Sequence, residues 1–200
     1  MIALVDYGAG NLTSVRKGFA AAGADLFSPA TPGDLRRASG IVVPGVGHFA
    51  ATAALDEGWR TAIREALDGG ALLFGICLGL QWLFEGSDEA PDVPGLGIVH
   101  GRCRRLPPTL KVPHVGWNSL EIRRPSRLLE GIGSGTYAYF THSYAADVTP
   151  EAVATTTHAA PFASIVETSQ LFGVQFHPEK SGPAGVRMLG NFVRLCSQSA

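Results

Sequence analysis

The sequence predicts a three-layer α/β domain, with a central, mostly parallel sheet and an antiparallel extension. Two observations predict it. The first half of the chain alternates short, fully apolar runs with amphipathic stretches of helical period, as expected of strands buried on both faces and joined by crossover helices. The second half changes to closely spaced β-rich runs separated by turns, a hairpin pattern, and ends in one more helical stripe. Nothing reads as a linker or a repeat, so residues 1–200 form a single predicted domain.

Ile2 to Val5 is the first apolar run, and Tyr7-Gly-Ala-Gly10 the turn after it. Asn11 or Thr13 caps a helix that places Leu12, Val15 and Phe19 on one face and stops at Gly23. Ala24 to Ser28 is the second strand. Ile41 to Val43 is the third, running into Pro44-Gly-Val-Gly47. Trp59, Ile63 and Leu67, four apart, mark the next helix. Ala71 to Ile76 is the fourth strand, and Leu78 to Phe84 reads as a helix. Ser87 to Pro94 is a polar loop with two prolines. The hairpin half contributes Gly97–Val99, Ser119–Ile122, Tyr137–Thr141, Val153–Thr157, Ala163–Glu167 and Leu171–Phe176. Val186, Leu189 and Val193 then form the last helical stripe.

Composition excludes several functions. Sixteen Lys and Arg against seventeen Asp and Glu leave a net charge of −1, with no electrostatic footprint for nucleic acid or an anionic membrane. The longest apolar run, Ala71 to Phe84, falls short of the roughly 18 residues that a membrane span needs. No basic segment precedes Ile2, and Asp6 cuts that first run short, so a soluble, cytoplasmic protein is expected. Three cysteines, Cys77, Cys103 and Cys196, close no disulfide framework and leave room for one reactive thiol.

The strongest local signal is Gly75-Ile-Cys77-Leu-Gly79, between an apolar strand and a helix. It is the nucleophile-elbow pattern with Cys in the Ser position. The flanking glycines let backbones approach closely, and the positive end of the helix dipole favours a thiolate. The Leu78 amide is then placed to donate to an oxyanion. A structural cysteine packed between two small residues fits the same five residues. Arg102, Arg104 and Arg105 surround Cys103, either favouring its thiolate or simply lining a strand edge, and Cys196 reads as packing.

Among six histidines, His177 stands out because it follows a buried-strand pattern and opens His177-Pro-Glu179. Glu179 is placed to turn back and fix the imidazole tautomer. The order Cys, His, Glu differs from that of α/β-hydrolases, whose acid precedes the histidine. Gly45, Val46 and Gly47 offer consecutive amides that complete an oxyanion hole beside Leu78, or form an ordinary strand-to-helix turn.

Together, Pro44-Gly-Val-Gly47, Gly75-Ile-Cys-Leu-Gly-Leu-Gln81 and Gln175-Phe-His-Pro-Glu179 resemble the class I, or triad, glutamine amidotransferases. The resemblance spans nearly the whole chain. It implies a flavodoxin-like sheet, a Cys77–His177–Glu179 triad, and hydrolysis of L-glutamine to glutamate and ammonia through a glutamyl thioester on Cys77. It also implies that Gln81 and the segment His142-Ser143-Tyr144 hold the substrate, with no cofactor and no metal.

Within the family, Asp6 to Asn11, Pro44 to Phe49, Pro113 to Asn118 and His177 to Ser181 are similar to the glutaminase subunits of imidazole glycerol phosphate synthase. That likeness implies a heterodimer with a cyclase subunit, a (βα)8 barrel, met by Asn11, Trp117, Asn118, Tyr139 and Lys180. Val115 and Ser143 depart from the usual Met and Thr. The chain has no P-loop, and Gly8-Ala-Gly10 is only half of a dinucleotide fingerprint. A chain that makes ammonia without an acceptor site must pass it on. The triad alone also fits a glutaminase serving another synthase, or a binding module that kept the fold; Pro113 to Asn118 and Lys180 argue against the first, and the intact triad against the second.

Overall fold

A computed structural model describes residues 1–198. In chain order the strands are β1 (Ile2–Leu4), β2 (Leu26–Phe27), β3 (Gly40–Val43), β4 (Leu72–Ile76), β5 (Gly86–Ser87), β6 (Arg102–Arg105) and β7 (His114–Ser119). Then come β8 (Glu121–Ile122), β9 (Tyr137–His142), β10 (Tyr144–Ala146), β11 (Ala152–His158), β12 (Ala160–Glu167) and β13 (Leu171–Val174). The helices are α1 (Leu12–Ala21), α2 (Glu57–Asp68), α3 (Leu78–Leu83) and α4 (Gly182–Gln198).

The main sheet has eight strands in the order β2-β1-β3-β4-β13-β12-β11-β8. Its first five strands run parallel, and β12, β11 and β8 continue it antiparallel. Alternate residues feed two cores, one on each face. Leu4, Val42, Phe74 and Ile76 pack with Phe19 of α1 and Leu189 and Phe192 of α4. Val5, Ile41, Val43 and Leu73 pack with Ile63 and Leu67 of α2 and Trp82 of α3. These are the three layers of the expected fold. Asn11 does cap α1, its side-chain oxygen accepting from the Ser14 amide at 3.1 Å.

β4 lies between β3 and β13, so its carboxyl end meets two neighbouring strand ends in one crevice. Functional groups of parallel sheets collect at that end. A separate two-stranded ribbon, β7 with β9, stands beside it in antiparallel register from His114↔His142 to Ser119↔Tyr137.

The hairpin half departs from the sequence reading in three places. Gly97–Val99 is not a strand: the amides of residues 96 to 99 donate instead to the carbonyls of Trp82, Leu83 and Phe84, closing the carboxyl end of α3. Ser119–Ile122 is not one strand but the end of β7 and all of β8, separated by the buried Leu120. Leu171–Phe176 pairs as a strand only to Val174. Strands β6 and β10 pair with each other, and Cys103 on β6 is fully buried, which pushes its thiol well up despite the neighbouring arginines.

Candidate active site

Cys77 occupies a sharp turn between β4 and α3, with φ 54° and ψ −104°. Non-glycine residues avoid this region, and the strain persists because the surroundings leave no alternative. The Cys77 amide donates to the Val174 carbonyl of β13 at 2.8 Å, and the Gln81 amide donates back to the Cys77 carbonyl at 3.1 Å. A Cβ at Gly75 would lie 2.6 Å from the Gly79 backbone, and one at Gly79 would run into the Val43 carbonyl of β3. Only paired glycines let helix and strands meet this closely.

Three residues beyond Val174, the last residue of β13, the chain brings His177 beside the thiol. Its Nδ1 lies 2.9 Å from Glu179 Oε1, with both side chains 2% exposed. Nε2 is buried and has no hydrogen-bond partner. Burial opposes a charge on this ring, but the neighbouring Cys77 sulfur and the Glu179 carboxylate outweigh it and lift His177 to about 9. The short turn Pro178–Lys180 folds Glu179 back, and Ser181 locks it: its hydroxyl donates to the His177 carbonyl at 2.7 Å.

A cavity of about 220 Å³ opens over Cys77. Gly47, Leu78 and Gln81 line one side, and Thr141, His142, Ser143 and Tyr144 the other. Gln81 is 4% exposed and donates from Nε2 to the Tyr144 carbonyl at 2.8 Å and to Gln175 Oε1 at 3.2 Å. Gln175 in turn donates to the Cys77 sulfur at 3.6 Å. Gln175, His114 and Glu89 were not among the expected site residues. Gln175 and His177 stand two apart after β13, the spacing that puts both on one side. Glu89 lies in a loop with no pattern to mark it, yet it lines the cavity, and its Oε2 accepts from the Phe49 amide at 2.8 Å.

Gly45, Val46 and Gly47 lie beside the elbow, but the Leu78 amide points to the Gly45 carbonyl, 3.4 Å away. An acceptor therefore faces the Leu78 amide, one of the expected oxyanion donors. Gly45 is wedged between Leu78 and the buried Tyr7 hydroxyl, so no larger residue fits there.

The remaining expected positions fall into two groups. Trp117 is 54% exposed and meets the Tyr139 ring edge-on at 5.9 Å across the β7–β9 ribbon, and Lys180 is exposed in the turn after His177. Asn11 caps α1 next to Gly10, which packs on Pro44 before the Gly45 segment. Asn118, by contrast, turns its side chain inward to His114 and the Thr157 carbonyl, at 3.3 and 3.0 Å. Among the described residues no group of side chains has the makings of a metal site, and no helix is long and apolar enough to cross a membrane.

Comparison with known proteins shows the family and the fold. The family model Glutamine amidotransferase class-I matches residues 3–196. The chain is 47% identical to the imidazole glycerol phosphate synthase subunit HisH of Natronomonas pharaonis, over 98% of this chain and 94% of that protein. It is 46% identical to the HisH subunit of Moorella thermoacetica, over 97% and 94%. The HisH subunit of Thermococcus kodakarensis is 47% identical, over 98% of this chain and all of that protein (100%). The fold is shared with a crystal structure of a glutamine amidotransferase, at a TM-score of 0.77 and 19% identity, covering 98% of this chain and 100% of that one. It is also shared with the glutaminase domain of Trypanosoma brucei CTPS with bound acivicin, at 0.71 and 17%, covering 100% and 94%.

Proposed function

The chain belongs to the class I glutamine amidotransferases and, among them, to the HisH subunits of imidazole glycerol phosphate synthase; on that premise we propose that Cys77, His177 and Glu179 hydrolyse L-glutamine and that the ammonia passes to a cyclase subunit. One observation carries the assignment of the triad. His177 has one nitrogen engaged by Glu179 and the other buried and open beside a strained cysteine.

Cys77 attacks the side-chain carboxamide carbon of glutamine, forming a C–S bond, while His177 Nε2 carries the thiol proton. The tetrahedral oxyanion takes donors from Leu78 and from the Gly45–Gly47 segment. Collapse breaks the C–N bond, and His177 returns its proton to the departing ammonia. Water, deprotonated by the same nitrogen, then cleaves the thioester to glutamate. Glu179 keeps the imidazole oriented and stabilises its charged form.

Gln81 and the His142–Tyr144 segment hold the amino-acid end of the substrate. Glu89 is the acidic side chain in the cavity lining and supplies a countercharge for the α-ammonium group. No cofactor is needed for these steps.

The partner is the cyclase subunit, a (βα)8 barrel, in a heterodimer in the cytoplasm, and the chain is a single glutaminase domain. Free ammonia at neutral pH is mostly protonated and a poor nucleophile, so a sealed interface serves the transfer. Trp117 and Tyr139 support such a surface, with Asn11 and Lys180 on the same side of the molecule as the strand ends. Adding the cyclase, with its ligand, to a glutaminase assay tests the reading. Copurification and faster hydrolysis are expected; unchanged turnover sinks it.

A further inference from the structure

Beside the triad, His114 of β7 and His142 of β9 form a pair whose protons are set by the backbone around them. His142 Nδ1 lies 2.9 Å from the Tyr144 carbonyl. A carbonyl oxygen only accepts, so Nδ1 carries the hydrogen and Nε2 of the neutral ring is left with a lone pair. His114 Nδ1 lies 3.0 Å from that Nε2 and must donate to it. His114 Nε2 is then an acceptor, and Asn118 Nδ2 stands 3.3 Å away. The amide of Asn118 is oriented in turn: its Oδ1 accepts from the Ser119 amide at 2.8 Å, and its Nδ2 also donates to the Thr157 carbonyl at 3.0 Å.

Protonating either ring would set two donors against each other. The packing opposes it as well. The His114 ring is sandwiched between His158 of β11, with centroids 4.2 Å apart, and Phe140, at 4.9 Å. His158 and His177 are the other titratable rings that bear on the pair, and like them carry positive charge when protonated. Burial therefore pushes both rings down, His114 to about 4 and His142 to about 3.

The far end of the chain is the substrate cavity. The Tyr144 carbonyl, with two lone pairs, accepts from His142 and also from Gln81 Nε2 at 2.8 Å. Both nitrogens of His142 are thus engaged by protein, and its ring has no free polar atom for a ligand.

We infer that His114 is a positioning residue for glutamine binding: by donating to His142 it holds that ring in the Nδ1–H form, which fixes the Tyr144 carbonyl and, through it, Gln81. The inference rests on the reading of this cavity as the glutamine site.

The test uses the complex with the cyclase subunit. His114→Leu removes the donor, and His114→Gln keeps one, with an acceptor for Asn118. Loss of one buried hydrogen bond should raise KM for glutamine roughly 10-fold in His114→Leu, with kcat within about 3-fold, and His114→Gln should return KM to within about 3-fold of the parent. ¹⁵N spectra of the labelled imidazoles should show His142 of the parent protonated at Nδ1 and bare at Nε2. A parent His142 protonated at Nε2 overturns the inference, as does a folded His114→Leu protein with unchanged KM. If His114→Leu does not fold, the parent spectrum and His114→Gln decide. Cys77→Ala separates the two levels: continued hydrolysis in that variant overturns the reading of the site, whereas its loss beside an unaltered His114→Leu overturns only the role of His114.

Discussion

The Leu78 amide donates to the Gly45 carbonyl at 3.4 Å, so the hydrogen that an oxyanion requires is directed at a backbone oxygen. The same peptide segment also supplies the second donor, and the two needs conflict in this arrangement. Turning over the Gly45–Val46 peptide resolves the conflict, and the glycine on its amino side eases the rotation. Withholding one oxyanion donor costs about 10²–10³ in kcat. The isolated subunit should therefore hydrolyse glutamine at least ~10²-fold more slowly than the complex with cyclase and its ligand. Steady-state glutamate release measures this, and equal rates would refute the gating.

Substitutions at Cys77 separate chemistry from backbone strain. Cys77→Ala and Cys77→Gly should both lose about 10⁴-fold or more of glutaminase activity. Their stabilities should differ. A positive φ of 54° is unfavourable for alanine and free for glycine, so Cys77→Gly should be the more stable, by about 1 kcal/mol. Denaturant melts of the two variants decide, and an alanine variant equal to or firmer than the glycine one contradicts the strain.

The pH dependence follows from His177. Its folded-state value, about 9, lies above that of an unfolded histidine, ~6.5. The stabilisation from its charged form is therefore complete below ~6.5 and is lost as pH rises through about 9. Cys77 and Glu179 hold the value up against burial, so Cys77→Ala or Glu179→Gln should move the NMR titration of His177 to lower pH. A midpoint unmoved in both variants would show that neither partner holds the proton.

Trp117 offers a different kind of test. Tyr137 is 60% exposed and Val115 57%, and both lie on the same outward side of the β7–β9 ribbon as Trp117. A large aromatic anchor at an interface is typically worth about 2 kcal/mol or more. Trp117→Ala should weaken cyclase binding by ~30-fold while leaving the melting temperature of the free subunit nearly unchanged. Calorimetric titration checks it, and undiminished affinity would place the partner elsewhere.

Much of the fold could be read from local pattern. Strands β1, β3 and β4 are apolar on both faces, so their runs are continuous, and Asp6 after β1, Pro44 after β3 and Gly70 before β4 mark their limits. The ribbon strand β7 is harder to read, because its inward face carries His114 and Asn118 rather than apolar residues and Gly116 interrupts the run. Gly97–Val99 has strand composition, but its amides are needed at the end of α3, a demand that arises only once the chain is folded.

Cys77, His177 and Glu179 were legible because their chemistry depends on local geometry: an elbow between two glycines, and a histidine two residues from its carboxylate. The residue order alone therefore singles out the elbow cysteine, the histidine and the carboxylate that the fold brings together. It does not specify the proton positions on His114 and His142, the turn of Asn118, or the direction of the Gly45 carbonyl. Each of these depends on a donor or acceptor brought from another strand, β7 against β9 and β3 against the elbow, and those partners meet only in the folded chain.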